Sequence, residues 1–427
     1  MSIRKPETPE QLYLDFDGFF ASVEQQADPK LQGKPVGVIP FDTTDFTCVI
    51  ACSKEAKKRG VKNIMPIREA KQRCHDLILV PQKPDLYRRA HNTLINEIMA
   101  ITPIEAIKSI DELTCKLDKY NRQRPNLVAA NIKKRIHDHI GPHITCSIGL
   151  AANRQLAKIA CKMDKPNGTT IWHPKDMPGP LEDIPFEDIP GIGGRMRKRL
   201  YQAGIFSTKA LLQTSPKQMR ALWRNVTGER IWYALHGYDV KAQPSKRGMF
   251  GHSRVLPPEN RSQKEAKACA RLLLVKAARR MRRENYYASK LWLHFSLKFP
   301  KKYQHEKLRR SYGNDLSFPP CQDDQAILKG FHQLWDETTP YLPKEARILK
   351  VGVALYQLET ANSRQLDLFY NEDKARQKWE KVNSAIDTLN SKYSKTIVSI
   401  GPWQPPAGGY AGGKISYVRV PGAEDFW

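Results

Sequence analysis

The sequence predicts a multidomain protein of the α/β class, and three observations lead to this prediction. The chain has 427 residues, enough for two to four domains of ordinary size. Hydrophobic residues make up 40% and charged residues 27%, a composition that allows buried cores and excludes disordered and fibrous proteins. Short apolar runs typical of strands alternate along the chain with stretches that have helical spacing.

The net charge of the chain indicates which class of molecule it binds. The formal net charge is +26, too large for a protein that works mainly on neutral metabolites, and it indicates a polyanionic partner. Residues 241–310 alone hold 20 Lys and Arg against 4 Asp and Glu. A solvated helix face is the alternative, but this segment also carries regular strand patterns. We therefore favour a surface that follows phosphate groups, with binding that weakens as salt rises.

Several features indicate the cellular setting. No run of about 18 apolar residues is present, so we expect no membrane span. Residues 1–10 are polar and do not resemble a signal peptide. The 8 cysteines include no C-x-x-C pair, which favours reduced thiols over a zinc site. We therefore expect a cytoplasmic protein.

Residues 1–175 are predicted to form the first α/β domain. Leu12–Phe16 is a short apolar strand that ends in the acidic sequence D-F-D-G at 15–18. Further strands are predicted at Val36–Pro40, Thr47–Ala51, Leu113–Leu117 and Ile144–Leu150. Apolar residues recur at helical spacing in the two predicted helices, Asp85–Ile101 and Leu127–Ile140.

Residues 176–240 are predicted to form a separate helical region. The sequence I-P-G-I-G-G at 189–194 precedes a basic helix, Arg195–Ala203. Gly191 and Gly193 leave backbone N–H groups free at the start of that helix, which suits a phosphate. We interpret the turn as the hairpin of a helix-hairpin-helix, in which these glycines and Arg195 hold a nucleic-acid backbone. An ordinary turn between packed helices is the alternative.

A linker at 241–248 is predicted to lead into a further domain at 249–358. Its elements follow the order β-α-β-β-α-β of a ferredoxin-like split sheet, namely Met249–Leu256, Gln263–Arg283, Leu291–Phe299, Leu308–Phe318, Asp324–Glu337 and Ile348–Leu355. The first helix carries a predicted basic face, formed by Lys276, Arg279, Arg280 and Arg283. Trp292 and His294 alternate with apolar residues and would face away from the helices. We expect these two residues and Arg254 to contact nucleic acid.

Carboxylates gather at two places in this basic chain. Asp15 and Asp17 stand two residues apart at a strand end, and Asp111 and Glu112 begin another predicted strand. Carboxylate oxygens bind Mg²⁺, and two such ions about 4 Å apart can hold the attacking and leaving oxygens of a phosphoryl transfer. The alternative is that these acids are merely solvated or cap helices.

The acidic motifs resemble those of a known family. The sequence L-D-F-D-G-F-F-A-S-V-E at 14–24 is similar to the first motif of the Y-family DNA polymerases, the translesion enzymes. S-I-D-E at 109–112 is similar to their second motif. K-P-N-G at 165–168 and the hairpin at 189–194 follow where the family has them. The resemblance extends from about residue 12 to residue 358.

This resemblance implies the architecture of a right-hand polymerase. The palm would occupy 1–175, with small fingers inserted at about 18–80. The thumb with its helix-hairpin-helix would occupy 176–240, and the ferredoxin-like domain at 249–358 would be the little finger. Small fingers leave the active site open, which implies low fidelity.

The resemblance also implies catalytic roles. Asp15, Asp111 and Glu112 would be the catalytic carboxylates that bind two Mg²⁺ ions, with the Phe16 carbonyl as a backbone ligand. Asp17 matches the motif less strictly, because some relatives have Asn there. The primer 3′-OH would attack the α-phosphate of an incoming deoxynucleotide and release pyrophosphate.

A nucleotide site is implied in the same way. Phe20 matches the steric gate, whose ring leaves no space for a 2′-hydroxyl, and Phe19 lies beside it. Lys165 matches the lysine that contacts the triphosphate. In the sequence S-K-E-A-K at 53–57, lysines replace the tyrosine and the arginine of many relatives. Besides Phe20 and Lys165, we expect Phe19, Ser53 and Lys57 to contact the nucleotide.

The tail at 359–427 contains the sequence Q-L-D-L-F at 365–369, which looks like the short peptide with which bacterial polymerases bind the sliding clamp. This contact would be made by Gln365, Leu366, Leu368 and Phe369, with the last two as apolar anchors. A helix is predicted over residues 371–393. The peptide favours a bacterial source and a nucleoid-associated location. It also favours a UmuC-like over a DinB-like layout, and an accessory subunit of the UmuD type would belong to the UmuC-like one.

The leading hypothesis is a template-directed, error-prone DNA polymerase that binds primer–template DNA and deoxynucleoside triphosphates. One alternative is a catalytically silent relative that acts as a clamp-binding scaffold, although such proteins lose the carboxylates that are present here. The other is a non-enzymatic nucleic-acid-binding protein. That alternative would explain the positive charge but not the acidic cluster.

Overall fold

A computed structural model describes residues 3–40, 47–240, 246–303, 308–360, 373–402 and 420. The chain forms two compact units, and the division falls between Pro244 and Ser245. This position lies inside the linker that the sequence predicts at 241–248. Each unit has its own hydrophobic core.

Strands and helices alternate through the first unit. Its strands are β1 (Ile3–Arg4), β2 (Gln11–Phe16), β3 (Val36–Ile39), β4 (Cys48–Val49), β5 (Ala51–Cys52), β6 (Met65–Pro66), β7 (Ile78–Pro81), β8 (Ile104–Ile107), β9 (Glu112–Lys116), β10 (Cys146–Ala151), β11 (Thr169–Ile171) and β12 (Asp239–Val240). Its helices are α1 (Phe19–Ala27), α2 (Lys54–Lys58), α3 (Ile67–Arg73), α4 (Pro84–Met99), α5 (Lys119–Arg122), α6 (Pro125–His139), α7 (Arg154–Met163), α8 (Gly194–Gln202), α9 (Thr208–Leu212), α10 (Pro216–Trp223) and α11 (Val226–Leu235). Short 3₁₀ helices occupy Pro29–Leu31, Pro174–Asp176, Gly179–Leu181 and Phe186–Asp188.

The largest sheet of this unit has the strand order β11-β10-β2-β9-β8, with β2 at its centre. β2 is antiparallel to both β9 and β10. Both faces of β2 are buried, because Leu12 and Leu14 point to one face while Tyr13 packs with residues of α7 on the other. Since antiparallel neighbours run in opposite directions, β2 ends where β9 begins. The two acidic motifs therefore meet at one edge of the sheet.

A smaller layer is formed by the segment between α1 and α4. It contains the sheet β5-β3-β7 and the pair β4-β6, and α1 contacts β3, β5 and α4. The single strand predicted at Thr47–Ala51 is wrong in one respect. The chain bends at Ile50, so the segment is divided into β4 and β5, which belong to different sheets.

Helices α8 to α11 share a hydrophobic core with α7, to which Leu156, Ile189, Leu200, Met219 and Leu235 contribute. The helix predicted at Arg195–Ala203 is confirmed as α8. The turn before it is anchored by Ile192, which is buried in this core. Gly191 has a φ of +101°, a left-handed conformation that suits glycine and lets the chain reverse direction before the helix.

The second unit contains the β-α-β-β-α-β order that the sequence predicts. Its strands are β13 (Met249–Val255), β14 (Tyr286–Lys298), β15 (Ser311–Cys321) and β16 (Arg347–Thr360). Its helices are α12 (Gln263–Arg283), α13 (Asp324–Thr338) and α14 (Asp373–Lys392), the last of which confirms the helix predicted over 371–393. Short 3₁₀ helices occupy Pro258–Asn260, Lys301–Tyr303 and Thr339–Tyr341.

The sheet of the second unit is antiparallel and has the order β13-β16-β14-β15. β13 and β14 run parallel, but β16 lies between them. β16 and β15 also run parallel, with β14 between them. Both helical crossovers are therefore split by an intervening strand, and both helices can cover the same face of the sheet.

The two faces of this sheet differ as the alternation in β14 predicts. Leu291, Leu293 and Phe295 are completely buried in the core with α12 and α13. Trp292 on the opposite face is 38% exposed, and its ring stacks on that of His294 with centroids 5.1 Å apart. The open face thus presents an aromatic pair that lies away from the core formed with α12 and α13.

The structure argues against the predicted contact of Arg254 with nucleic acid. In the register of β13 and β16 this residue lies opposite Val351, whose side chain is in the buried core. Residues opposite each other on paired strands share a face, so Arg254 lies on the helix side of the sheet, and it is only 4% exposed. It does not lie with Trp292 and His294 on the open face.

The prediction that α12 has an exposed basic face is also wrong for three of the four residues named. Lys276, Arg279 and Arg280 of α12 are buried, whereas Arg283 is not. For Arg279 the physical reason is α14, which packs beside α12. Nε of Arg279 lies 3.3 Å from a carboxylate oxygen of Asp387.

A buried polar network attaches α14 to the rest of the unit. Arg282 donates to both carboxylate oxygens of Asp387, at 2.7 and 3.1 Å, and to Asp324 at 2.7 Å. Asn383 accepts from the backbone N–H of Asp324 and donates to its carboxylate, both at 3.0 Å. These charge-assisted bonds make the start of the C-terminal segment an integral part of the second unit.

Candidate active site

The acidic motifs meet at the end of β2. Asp15 lies directly opposite Glu112 in the pairing of β2 with β9, so the two side chains are on the same face of the sheet. The backbone N–H of Phe16 donates to the carbonyl of Asp111 at 2.9 Å, which fixes Asp111 beside the same strand end. The structure therefore brings Asp15, Asp111 and Glu112 to one edge. Their catalytic role stays a prediction.

Two further side chains hold the second acidic motif. Ser109 Oγ donates to Asp111 Oδ1 at 2.5 Å. Nδ1 of the buried His91 lies 2.7 Å from the carbonyl of Ile110, so this nitrogen carries the proton and donates it. Burial lowers the pKa of His91, which favours the neutral ring. His91 was not predicted from the sequence, although it lies three positions before Leu94 on the buried face of α4.

Lysines neutralise two of the three carboxylates. Lys165 Nζ lies 2.5 Å from Asp15 Oδ1. Lys158 on α7 donates to both oxygens of Glu112, at 2.8 and 3.0 Å, and to the hydroxyl of Tyr13 at 2.8 Å. Lys158 was not predicted from the sequence. No sequence signal relates it to Glu112, because Lys158 lies on α7, 46 residues away along the chain.

At Asp15 and Glu112, burial raises the pKa of the carboxyl group and nearby lysines lower it. Burial raises the pKa of Asp15 to about 6, and the nearby Asp111 and Glu112 add to the increase while Lys165 opposes it. Burial would also raise the pKa of Glu112, but the bonds from Lys158 and Tyr13 outweigh it and leave that pKa lowered. Glu112 is thus held as the anion. Asp15 is the carboxylate whose charge depends most on a nearby cation.

Asp17 has a different environment from the other three acids. It is 8% exposed, and it accepts hydrogen bonds from Ser147 Oγ at 2.8 Å, Thr145 Oγ1 at 3.0 Å and the backbone N–H of Asn167 at 2.8 Å. Lys133 holds the same loop from α6, where it donates to the carbonyl of Gly168 at 2.9 Å. Asp17 therefore positions the loop that carries Lys165.

Both aromatic residues of the first motif are buried, and the centroids of their rings are 5.7 Å apart. Phe19 is 3% exposed and also contacts the ring of Phe16. Phe20 is 9% exposed and stacks on Tyr87 with ring centroids 4.5 Å apart. Tyr87 is held in turn, because its hydroxyl donates to the buried carboxylate of Glu24 at 2.8 Å. Phe20 therefore has a fixed ring, and the nucleotide contacts of both residues stay predictions.

In the segment at 53–57, one of the two predicted contact residues is buried and the other is exposed. Ser53 is completely buried, and its hydroxyl accepts from the backbone of Ala56 and Val36, so it caps α2. This burial argues against the predicted contact of Ser53 with a nucleotide. Lys57 is exposed, and its Nζ would lie 3.8 Å from a Cβ added at Gly18. Lys57 is therefore the residue of this segment that reaches the first motif.

The chemistry of the three carboxylates suits Mg²⁺. Within the described part of the chain, no group of three or more His, Cys, Asp or Glu side chains is already arranged to hold a metal ion. Asp15 and Glu112 bind lysines instead, which shows that this edge attracts positive charge. Three carboxylates at adjoining strand ends are the hard ligands that Mg²⁺ prefers. The residues fit the ion chemically once the lysines release the oxygens.

Comparison with known proteins decides the family. A model described as the impB/mucB/samB family matches residues 14–162, and the model of its C-terminal domain matches residues 247–368. A DNA polymerase IV of Moorella thermoacetica is 30% identical over 399 residues, which cover 91% of this chain and 94% of that protein. The chain belongs to the Y family of DNA polymerases. This Y-family polymerase is also 29% identical over 396 residues to a DNA polymerase IV 1 of Bacillus subtilis, with 91% and 92% of the two chains covered.

Solved structures agree with the fold of this Y-family polymerase. A Y-family DNA polymerase chimera of Dbh and Dpo4 has a TM-score of 0.66 at 24% identity, with 82% of this chain and 99% of that chain covered. An insertion ternary complex of Dbh DNA polymerase has a TM-score of 0.53, also at 24% identity, with 81% and 98% covered. The right-hand polymerase fold expected from the motifs is confirmed. The protein is a DNA-directed DNA polymerase of the translesion class.

The structure describes some of the remaining predicted contacts. Gly191 and Gly193 are exposed at the turn before α8, and Arg195 is exposed in the first turn of α8. Residues 365–369, the predicted clamp peptide, lie outside the described residues. Of the helices that the structure describes, none has the length and apolar character to cross a membrane.

Proposed function

We propose that this polymerase adds deoxynucleotides, one at a time and with low fidelity, to the 3′-OH of a primer on a DNA template. The observation that supports the proposal most is the meeting of Asp15, Asp111 and Glu112 at one edge of the sheet, beside Lys158 and Lys165. A protein that only bound nucleic acid would have no need of this acidic cluster. A silent scaffold would not need to retain all three carboxylates.

The proposed ligands of two Mg²⁺ ions are the carboxylates of Asp15, Asp111 and Glu112 and the carbonyl of Phe16. When bound, Mg²⁺ supplies Lewis-acid stabilisation of the charge on the transferred phosphoryl group. The protein prepares these ligands in advance. Ser109 orients Asp111, and Lys158 keeps Glu112 ionised.

The nucleotide would lie between the first motif and α2. Lys165 would exchange its bond with Asp15 for a phosphate of the triphosphate, and Lys57 would contact the triphosphate from the other side. The ring of Phe20, held by Tyr87, would exclude a 2′-hydroxyl. Phe19 and Ser53 support this site from the core and from the cap of α2.

Primer–template DNA would be held by features of both units. In the first unit, the exposed residues are Gly191, Gly193 and Arg195. Because glycine has no side chain, a phosphate can approach the backbone at Gly191 and Gly193. In the second unit, the open face of the sheet carries Trp292 and His294. Gly313 lies beside this pair, since a Cβ added there would be 3.4 Å from Nε1 of Trp292, an ordinary van der Waals contact.

Two protein partners and a location complete the proposal. The sequence Q-L-D-L-F at 365–369 supports binding to a sliding clamp. An accessory subunit of the UmuD type and a cytoplasmic, nucleoid-associated location are the further expectations of a bacterial translesion polymerase.

Primer extension by the purified chain tests the proposal. The assay uses an undamaged primer–template, Mg²⁺ and each deoxynucleotide separately. We expect addition of one or a few nucleotides, including wrong ones, and no addition when EDTA removes the metal. Tight DNA binding without any addition would contradict the proposal and favour the scaffold.

A further inference from the structure

The loop between α7 and β11 carries Lys165, the residue that is proposed to contact the triphosphate. The loop is short, since α7 ends at Met163 and β11 begins at Thr169. The position of its backbone decides where the ammonium group of Lys165 can reach. A displacement of about 1 Å in such a group can cost about a hundredfold in rate. The contacts that fix this loop therefore bear on nucleotide binding.

Two side chains of opposite charge hold one residue of this loop, Asn167. Its backbone N–H donates to Asp17 Oδ2 at 2.8 Å. Its carbonyl accepts from Lys133 Nζ at 2.5 Å, and the same ammonium group donates to the carbonyl of Gly168 at 2.9 Å. We call Asp17 and Lys133 together the loop clamp. Because each of these bonds involves a charged group, it is stronger than a bond between neutral groups.

The two members of the loop clamp come from different elements of the fold. Asp17 follows β2, and the hydroxyls of Thr145 and Ser147 hold its carboxylate from the side of β10. Lys133 is a half-buried residue of α6, a helix that contacts both β10 and β11. The loop is therefore attached to the sheet on one side and to α6 on the other.

The backbone conformation of the loop explains why it needs this support. Asn167 has a φ of +59°, in the left-handed region that residues other than glycine seldom adopt. The turn is also tight, because a Cβ added at Gly168 would overlap the carbonyl oxygen of Asp164. An unfavourable backbone conformation persists only where surrounding contacts impose it. The bonds from the loop clamp are such contacts.

Lys133 has a different task from the other lysines near it. Lys165 binds the carboxylate of Asp15 at 2.5 Å, and the proposed function requires this bond to be exchanged for a phosphate. Lys133 instead binds backbone carbonyls, which no step of the proposed function uses. Its neighbour Lys134 is exposed and donates to Asp138 of the same helix at 2.6 Å. Lys133 is thus the lysine of α6 that reaches the loop.

We propose that Lys133 is a positioning residue for the incoming nucleotide and that it acts through Lys165. Its bonds to the carbonyls of Asn167 and Gly168 keep the backbone of Lys165 in place while the side chain of Lys165 leaves Asp15 for a phosphate. The inference rests on the proposed function, because the position of Lys165 matters only if the chain binds a nucleoside triphosphate.

A double-mutant cycle tests the proposal. Lys133→Met removes the ammonium group but keeps a long side chain, and Lys165→Ala removes the side chain through which Lys133 acts. Single-nucleotide incorporation by the full chain gives kcat and KM for the wild type, the two single variants and the double variant. Lys134→Met is the matched control. Anisotropy with a labelled primer–template and thermal unfolding are measured for every variant.

We expect Lys133→Met to raise the KM for the nucleotide by about tenfold, with a smaller change in kcat and unchanged DNA affinity. In the Lys165→Ala background, the same substitution should change the KM by less than about twofold, because no side chain is left to be misplaced. Lys133→Arg keeps a charged donor and should restore most of the loss. Lys134→Met should match the wild type.

Two results would overturn the proposal. One is an unchanged KM in Lys133→Met. The other is an equal increase in KM with and without Lys165, since Lys133 would then act by another route. If Lys133→Met does not fold, Lys133→Gln, which keeps an N–H donor without the charge, replaces it in the same cycle.

Failure of the proposed function has a separate readout, because the wild type would then incorporate no nucleotide. In that case a measurement that needs no catalysis still decides the inference. A deoxynucleoside triphosphate should protect the wild type against thermal unfolding more than it protects Lys133→Met. Equal protection of the two, or none of either, would overturn the role of Lys133.

Discussion

The two units arrange their charged side chains in opposite ways. At the catalytic edge of the first unit, two of the three carboxylates have a lysine partner, Lys165 for Asp15 and Lys158 for Glu112. At one end of the sheet of the second unit, four cations lie close together without a carboxylate partner among the described residues, namely Arg261, Lys298, Lys344 and Arg347. The first arrangement is neutralised from within the described chain, and the second is not.

This difference follows from the cost of removing a charge from water. A buried carboxylate is costly without a partner, so a lysine neutralises it. Lysines and arginines at the surface keep their charge in water, so they can lack an ion-pair partner at little cost. Charge in the two units is therefore paired where it is buried and unpaired where it stays in contact with water.

Removal of a carboxylate from the catalytic edge should have the largest effect. Asp111→Asn keeps the size of the side chain and its neighbour Ser109 but removes the charge that a metal needs. We expect nucleotide incorporation to fall by at least about a thousandfold, since metal ions contribute several kcal/mol to phosphoryl transfer. Single-nucleotide incorporation measures the loss, and anisotropy should show unchanged DNA affinity. Incorporation near the wild-type rate would show that Asp111 is not a metal ligand.

The paired and unpaired cations of the second unit can be compared directly. Arg282→Ala would leave Asp324 and Asp387 without their buried partner, which typically costs about 3–5 kcal/mol. Arg347→Ala removes an exposed cation and should leave the free energy of unfolding almost unchanged. Thermal unfolding of both variants checks the comparison. Equal loss of stability would mean that Arg347 has a structural role of its own.

Phe20→Ala tests the steric gate with a smaller expected effect. Removal of the ring should lower the preference for deoxynucleotides over ribonucleotides by about 10- to 200-fold, the range that one steric contact provides. Phe19→Leu is the matched control, since Phe19 lies beside Phe20 but is more deeply buried, at 3% against 9% exposed. Sugar selectivity is measured as the ratio of kcat/KM for the two nucleotides. Unchanged selectivity in Phe20→Ala would place the gate elsewhere.

Much of the fold could be predicted because its signals are local. The alternation in β14 predicted both faces of that strand, and α12 begins and ends at the predicted residues, Gln263–Arg283. The errors have non-local causes. Arg279 was expected in solvent because no local pattern shows that α14 packs beside it. Arg254 was misplaced because the face of an edge strand depends on its register with β16.

In the candidate site, too, local signals could be predicted and non-local contacts could not. The carboxylates Asp15, Asp111 and Glu112 are visible in the motifs, and the structure brings them to one edge. The residues that support them were missed, because Lys158 and His91 act through folded contacts on helices far away in sequence. Ser53 was misread because a serine that caps a helix and a serine that binds a phosphate look alike in sequence.

The smallest expected effect concerns the turn between β2 and α1. Gly18 has a φ of +58°, and a Cβ added there would lie 2.8 Å from the carbonyl oxygen of Cys52. Gly33 has a φ of +71° but no atom within 4 Å of the same position, so it is a matched control. Gly33→Ala should cost about 1–2 kcal/mol for the left-handed backbone alone.

Gly18→Ala should cost the same amount and about 1–3 kcal/mol more, because the backbone of β5 must move. It should also raise the KM for the nucleotide, because Lys57 lies 3.8 Å from the added Cβ. Thermal unfolding and steady-state kinetics of the two variants measure these differences. If the two substitutions lower stability equally, the contact with Cys52 is not tight, and the small residue at position 18 serves only the turn.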